Sequence, residues 1–408
     1  MPKILSINNY HYRRGGSDVM YLDHAALMEE QGWRNGFFSM NHPQNLDTPW
    51  SKYFIDEIEF GHDYSLAKKL IMASKVVYSF EAQKKLKRLL QDYRPDVAHL
   101  HCIYHHLSPA IISTLHDARV PIVMTAHELK AICPAATMRN SGGICERCKD
   151  GSVANILLNR CIKDSLALSA LVAVETLVHK RLNTYKKYIS RLILPSRFYL
   201  EKYLEWGWPR EKLVHIPNFV DADNLIPECE PGSYFLYFGR LSVEKGLSTL
   251  IQAAKVAKVP LKIVGAGPEV SKLKLLANSS NGDIYFLGHR TGEDLYNIIR
   301  GAKAVVIPSE WYENAPLSIL ESYALGKPVI GARIGGIPEL IVERKTGWSF
   351  SSGSILELAE VLTLVDQLSL YTLSEMGRQA RFFVESKFSK DNYRNQILCV
   401  YASLGVPR

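Results

Sequence analysis

Two glutamates separated by seven residues, Glu313 and Glu321, stand in the stretch SEWYENAPLSILESYALGKPVIG (309–331). Pro316, between them, suits the first turn of a helix. A helix from about Ala315 would carry Glu321 near its second turn and leave Glu313 on the preceding loop. Drawn as one continuous helix, the two would lie ~12 Å apart along the axis. Retaining glycosidase carboxylates that work as a pair stand only about 5–5.5 Å apart. The spacing therefore suits a clamp on two hydroxylated ends of one extended ligand, with a helix N-terminus between them for an anion. Sugar, diphosphate and ribose in a row make such a ligand. The competing reading is two charges on a wet surface, and Glu310, beside the preceding apolar run, is read as a solvated loop charge.

Other residues suggest the same ligand. In YFGRLSVEKGL, Arg240 ends an apolar run and Lys245 follows before a helix near Gly246, a plausible diphosphate clamp. In NNYHYRRGGSDVMYL, Gly15 and Gly16 sit between a strand and a helix, where backbone can approach a ligand or make a simple turn. In VMTAHELKAICP, His127 and Glu128 follow a strand's carboxyl end, where open parallel sheets present functional side chains. In LKIVGAGP, Gly265 and Gly267 suggest room for something flat, such as a base. His101 and His105 could share a helical face, but no acidic partner at a matching spacing supports a metal there. Cys133, Cys145, Cys148 and Cys161 have spacing plausible for a closed, structural zinc site, with buried free thiols as the alternative. Asp221 and Asp223 could hold a magnesium ion beside a diphosphate, yet lie in a Pro/Asn/Asp-rich segment and are read as turn or capping residues.

Short apolar runs alternate with helix-length amphipathic segments along all 408 residues. Continuous apolar strands separated by helices imply α/β architecture with parallel sheets covered on both faces. The expected strands are KILSIN, DVAHLH, PIVMTA and RLILPS, then YFLYFG, LKIVGA, IYFLG, AVVIP and PVIGA. The expected organisation is a Rossmann-like domain over 1–193, including a cysteine-containing loop at 133–161, and a linker region over 194–232. A second Rossmann-like domain follows over 233–385, and a C-terminal helix over 386–408 could cross back to the first. A cleft between the domains is the expected site.

Assembled in order, LILPSRF, HIPNFVD, YFGRLSVEKGL, LKIVGAGP, FLGH, VVIPSEWYENAPLSILESYALGKPVIGARIGGIPELI and TGW resemble the family 4 (group 1) retaining glycosyltransferases, which have the GT-B fold. The resemblance runs nearly the whole length and is strongest from Arg191 to Phe350. It implies a donor site in which Arg240 and Lys245 bind the diphosphate, Glu313 contacts the transferred sugar and Glu321 binds the ribose. Backbone N–H groups from Asn314, Ala315, Pro316 and Leu317 would serve the sugar and phosphate as far as each has one; proline has none. Gly15 and Gly16 would approach the phosphates, His127 the sugar, and Gly265 and Arg290 the base. Asn218 and Gly239 fall within the matching motifs as further donor-binding residues, and the catalytic set is Glu313, His127, Arg240 and Lys245. Asp18 stands where the family commonly has glutamate, which affects one local contact. The resemblance also implies a retaining, metal-independent transfer from a nucleotide-diphosphate sugar to a glycan or a polyprenyl-diphosphate-linked acceptor, as in bacterial surface polysaccharide biosynthesis. No cofactor would be required for the chemistry.

Composition is compatible with this. The chain is 47% hydrophobic and 22% charged, with a net charge of +8. Residues 1–190 hold 24 Lys+Arg against 18 Asp+Glu, and the rest 25 against 23, so the excess sits mostly in the first half. That modest, diffuse excess suits an anionic small molecule or membrane surface and gives no nucleic-acid footprint. Lys68, Lys69, Lys75, Lys84, Lys85, Lys87 and Arg88 interleave with apolar residues, as on a helix lying on an anionic membrane or simply a solvated one. With neither a signal-peptide pattern nor a spanning segment, a cytoplasmic location is expected, with peripheral contact at the inner membrane's cytoplasmic face. The rival readings are a nucleotide-sugar epimerase or sugar phosphorylase on the same fold, and a non-catalytic nucleotide-sugar-binding protein.

Overall fold

The structure is a computed structural model, described for residues 1–58, 65–150, 152–278 and 283–406. Gly151 of the four-cysteine loop and residues 407–408 of the C-terminal segment lie outside the described residues. The chain divides into two compact units, Met1–Ile216 with Arg394–Arg408, and Pro217–Tyr393.

The strands of the first unit are β1 (Lys3–Ile7), β2 (Arg34–Phe38), β3 (Val97–Leu100), β4 (Ile122–Thr125), a small hairpin of β5 (Arg139–Asn140) and β6 (Gly143–Ile144), β7 (Arg191–Leu194) and β8 (Leu213–His215). Its helices are α1 (Gly16–Glu30), α2 (Leu66–Val77), α3 (Phe80–Tyr93), α4 (Ala110–Asp117), α5 (Asn155–Leu158), α6 (Leu166–Arg181), α7 (Thr184–Tyr188) and α8 (Arg197–Glu205). The second unit has β9 (Tyr234–Phe238), β10 (Leu261–Val264), β11 (Ile284–Gly288), β12 (Ala302–Ile307), β13 (Val329–Ala332) and β14 (Gly347–Phe350). Its helices are α9 (Leu247–Ala257), α10 (Val270–Asn278), α11 (Gly292–Arg300), α12 (Leu317–Ala324), α13 (Ile355–Asp366) and α14 (Leu370–Lys387); α15 (Lys390–Ala402) completes the chain.

Each unit holds a six-stranded sheet, ordered β2-β1-β3-β4-β7-β8 and β11-β10-β9-β12-β13-β14, and every pairing within them is parallel. The α/β expectation therefore holds. Alternation along β9 explains why its strand is apolar throughout. Phe235 and Tyr237 join the core beneath α9 and α13, with Leu250, Ile251, Leu358 and Leu362. Leu236 and Phe238 join the opposite core beneath α12 and α14, with Leu320, Tyr323, Ala380 and Val384. Successive side chains point to opposite faces, and here both faces are covered. Counted from its own first strand, the second sheet has the order 3-2-1-4-5-6, so the chain reverses direction across the sheet between β9 and β12.

All nine expected strands are present; β2, β8, β14 and the small β5–β6 hairpin are additional. β8 has three residues and β2 opens on Arg34 and Asn35, so neither makes a run of apolar residues. The segment 194–232, expected as a linker, carries α8 and β8, and β8 pairs with β7 as an edge strand of the first sheet. The second unit begins at Pro217 rather than near residue 233, because Ala222 and Leu225 enter one of its cores. Among the described residues no helix is long and apolar enough to cross a membrane.

Tyr401, late in α15, is fully buried in the first unit. Its hydroxyl lies 2.6 Å from His99 Nδ1 and 2.9 Å from His24 Nε2. Tyr401→Phe strands both imidazole nitrogens without altering the packing, so it should lower unfolding stability by about 1–3 kcal/mol. Urea denaturation curves test this; coincident curves would show that these hydrogen bonds do not hold α15 in place.

Candidate active site

In the second unit the expected donor residues cluster at the carboxyl ends of four adjacent strands. β9 ends in Phe238 and leads to Gly239 and Arg240, β10 leads to Gly265, β11 to Arg290, and β12 to the loop that carries Glu313. Lys245 closes a short 3-10 turn ahead of α9, and its Nζ meets Glu313 Oε1 at 2.6 Å. This ion pair joins the β9 and β12 loops where the strand order reverses, the usual ligand position in such sheets. Ser309 Oγ donates to the same carboxylate oxygen at 2.7 Å, and the Lys245 ammonium lies 5.1 Å from the centre of the Trp311 ring.

Glu313 is buried. Burial alone would raise its pKa; Lys245 and the Ser309 hydroxyl outweigh it and hold the carboxyl below its usual range. The loop is fixed from behind as well. Gly336 N–H donates to the Glu313 carbonyl at 2.8 Å, and Gly335, at φ +59°, lies so close that a Cβ would come within 2.3 Å of that oxygen. Arg240 is exposed and makes no side-chain hydrogen bond or ion pair among the described residues, and the same is true of Arg290. Lys245 thus arrives with an internal counter-charge, whereas two neighbouring arginines do not.

α12 starts at Leu317, with Pro316 at its N-cap, two residues later than the sequence suggests. Glu321 remains in its second turn; Ile319 N–H donates to the Pro316 carbonyl at 3.1 Å, and the Leu317 and Ser318 N–H groups precede the first intrahelical acceptor. Buried Asn218 donates from Nδ2 to the Ala315 carbonyl at 2.9 Å, so its side chain shapes this loop. Two expectations change. Glu310 is not a solvated charge: Thr249 Oγ1 donates to its Oε1 at 2.6 Å, linking the β12 loop to α9. The glycines of LKIVGAGP are occupied by the protein itself. A Cβ at Gly265 would stand 1.8 Å from the Gly239 carbonyl, and one at Gly267 2.2 Å from that of Leu241. They permit two strand ends to touch; they do not by themselves open space for a base.

Asp221 accepts from Asn224 Nδ2 at 2.8 Å and stands 3.4 Å from Lys390 Nζ, as its turn reading expects.

In the first unit, Gly15 is the N-cap of α1 in an extended conformation, and Gly16 is the helix's first residue. A Cβ at Gly15 would meet only Asp18 Oδ2, at 3.9 Å, so that side of the turn is open. Asp18 is buried and accepts from Asn8 Nδ2 at 2.8 Å. His127 Nε2 lies 2.8 Å from His101 Nδ1, and the two rings stack at 5.1 Å. The row continues to His99 and His24. Burial lowers the pKa of His127 to about 4 and that of His24 to about 3, and lowers His99 and His101 as well. The row is therefore neutral near pH 7. His105 faces Glu175 at 3.5 Å instead of sharing a metal with His101.

Cys133, Cys145, Cys148 and Cys161 are all free thiols. Burial first, and then the other three, push the Cys148 thiol up to about 11. The loop thus gathers the four cysteines. Even so, among the described residues no group of three or more His, Cys, Asp or Glu could hold a metal ion.

Sequence reasoning missed Ser309, Trp311 and Gly335, and weighed His101 only as a metal ligand beside His105 rather than as the partner of His127. Ser309 and Trp311 were in view beside Glu313, but only the loop's path shows which of its neighbours meet its carboxylate.

Comparison with known proteins identifies the class. Residues 14–224 match Glycosyltransferase Family 4, and residues 225–381 match Glycosyl transferases group 1. The chain belongs to glycosyltransferase family 4. It is 24% identical, over 81% of its length and 84% of the relative's, to an uncharacterized 42.6 kDa protein in the cps region of Klebsiella pneumoniae. It is 23% identical to the O-antigen chain mannosyltransferase C of Escherichia coli, over 83% and 82% of the two chains. The solved structure of Anabaena HepE in complex with UDP and glucose superposes with a TM-score of 0.70 at 18% identity, covering 99% of this chain and 100% of that one. The fold is GT-B.

The depressed pKa of Glu313 has a sign that can be tested. Its ion pair stabilises the fold fully above the unfolded carboxyl value of about 4.5, and that contribution is lost as the pH falls through the lower folded value. Glu313→Gln has no such proton to take up. Below pH 4.5 the wild type should therefore lose stability more steeply than the variant in urea melts; parallel pH profiles would contradict the assignment.

Proposed function

We propose that this protein transfers a sugar from a nucleotide-diphosphate sugar to a hydroxyl of a glycan or lipid-linked glycan, with retention of configuration and without a metal, in bacterial surface-polysaccharide biosynthesis. The observation that carries the proposal is the Lys245–Glu313 pair beside Arg240, which has no ion pair among the described residues, at the strand reversal. The relatives support it: one is named for an O-antigen mannosyltransferase, and HepE was solved with UDP and glucose.

In this reading the acceptor oxygen bonds to the sugar's anomeric carbon on the face that the diphosphate leaves. The anomeric carbon–oxygen bond to the diphosphate breaks, and the acceptor's proton passes to the departing phosphate oxygen. The protein needs no covalent nucleophile. Arg240 and Lys245 neutralise the leaving diphosphate, assisted by the first-turn N–H groups of α12. Glu313 is held rigidly enough to align a sugar hydroxyl, and Glu321 serves the ribose. His127, a neutral imidazole backed by His101, offers a hydrogen bond without adding charge. Gly15 and Gly16 give the phosphates an open approach, and Arg290 flanks the base.

The test is transfer from a panel of nucleotide sugars in the presence of EDTA, with the product's anomeric configuration read by NMR. A retained configuration is expected. Glu321→Gln should mainly weaken donor binding, while Glu313→Gln should mainly reduce kcat. Inversion, a strict metal requirement, or equal effects of both variants on binding alone would each defeat part of the reading.

We also propose a peripheral contact with an anionic membrane, at its cytoplasmic face. α2 and α3 expose Leu70, Ile71 and Phe80, and α6, which packs on α2, exposes Val174 and Leu177. Lys75 and Lys85 pair with Glu81, whereas Lys84 and Lys87 have no ion-pair partner among the described residues. Apolar side chains flanked by such cations favour an anionic bilayer surface. Sedimentation with phosphatidylglycerol liposomes at low salt should carry the protein down, and phosphatidylcholine liposomes should not; equal recovery with both would refute the contact.

A further inference from the structure

The first unit contains a cavity of about 370 Å³ that the donor reading leaves unused. Its walls come from the loop after β4, from α6, from α7 and from the four-cysteine loop. Pro109, on the loop from β3 to α4, also lines it, so it opens among loops leaving the carboxyl ends of two sheet strands. Ligands of parallel sheets bind at that end.

Its charge is lopsided. Lys130, Lys149, Lys180 and Lys186 line it, against one carboxylate, Glu175. Lys130 is buried and committed to Glu175 at 2.8 Å, and Lys149 faces Glu205 at 3.6 Å. Lys186 donates only to backbone carbonyls, those of Trp206 at 3.2 Å and Gly207 at 2.9 Å. The Lys180 side chain makes no hydrogen bond or ion pair among the described residues. Two of the four ammonium groups therefore lack an anionic partner.

The same wall holds three buried polar atoms without hydrogen-bond partners among the described residues: Glu175 Oε1, Tyr185 Oη and Trp206 Nε1. Glu175 is 1% exposed. Buried polar groups left unpaired are costly, and a set on one cavity needs an explanation. An acceptor, a hydroxyl and an indole donor, with two aromatic rings, suit a compact ligand carrying several hydroxyls.

We propose that this cavity binds a sugar bearing an anionic group, a phosphate or a carboxylate, with Lys180 and Lys186 on the anion and Glu175, Tyr185 and Trp206 on the sugar. Resting on the transferase reading, this sugar is part of the acceptor, which makes the acceptor an acidic glycan. The cavity's occupancy itself does not depend on transfer.

The experiment is a titration of the purified chain with glucose 6-phosphate and with glucuronate, with glucose and inorganic phosphate as controls, read by tryptophan fluorescence. At least one anionic sugar should give a saturable change that Trp206→Phe abolishes, that UDP does not displace, and that Lys180→Gln weakens by about tenfold, as for one charge-assisted hydrogen bond. Preference for glucose 6-phosphate assigns a phosphate, and preference for glucuronate a carboxylate. Equal binding of glucose would overturn the anionic part, and equal binding of inorganic phosphate the sugar part. No saturable binding, displacement by UDP, or an unaffected Lys180→Gln variant would overturn the site. Because binding is read directly, a failed transfer assay would leave this result standing.

Discussion

The ion pair between Lys245 and Glu313 is the constraint around which the second unit's site is arranged. It ties the loop after β9 to the loop after β12, the two strands between which the chain reverses direction across the sheet. A parallel sheet leaves its strand ends without hydrogen-bond partners on one side, and at a reversal the flanking loops diverge. A bare glutamate buried there would take up a proton. With Lys245 and Ser309 on it, the carboxylate stays ionised and the loop stays fixed, with Gly335 and Gly336 against its backbone. The lysine's charge is partly offset, whereas Arg240 brings a positive charge that has no ion pair among the described residues.

The first unit uses burial differently. Four histidines in a row are kept neutral by desolvation; they hydrogen-bond to one another, to Thr125 and to Tyr401, and His101 Nε2 has no partner among the described residues. A neutral row can hold one imidazole at the strand end without gathering charge under an anionic ligand. Lys130, three residues after His127, forms a buried pair with Glu175, whose other carboxylate oxygen has no partner among the described residues. Such an arrangement is weak evidence for stability, since burying an ion pair costs nearly what it returns. It fits a wall that a ligand completes.

The architecture was largely legible. Nine strands showed as apolar runs because both faces of each sheet are covered, and that leaves no polar alternation to blur them. β8, three residues long, and β2, polar at its start, gave no such run. The boundary near residue 217 was obscured because 194–232 mixes turn-forming residues with α8, β8 and core residues such as Ala222 and Leu225. For the site, residue types were readable and partners were not. Glu313 stood out by its spacing from Glu321, but Glu310, taken for a wet charge, turned out to bind Thr249. The GxG of LKIVGAGP suggested a flat ligand, but what it admits is the backbone of Gly239 and Leu241.

By itself the sequence determined the α/β class, the strand-end positions of Arg240, His127 and Glu313, and the family to which they belong, because periodicity and motif spacing are local. Tertiary structure alone decided which charges cancel and which remain available. Lys245 and Arg240, five residues apart, look equivalent on paper. One is paired with a residue 68 positions away and the other has no ion pair among the described residues, and that difference depends on how β12 returns beside β9.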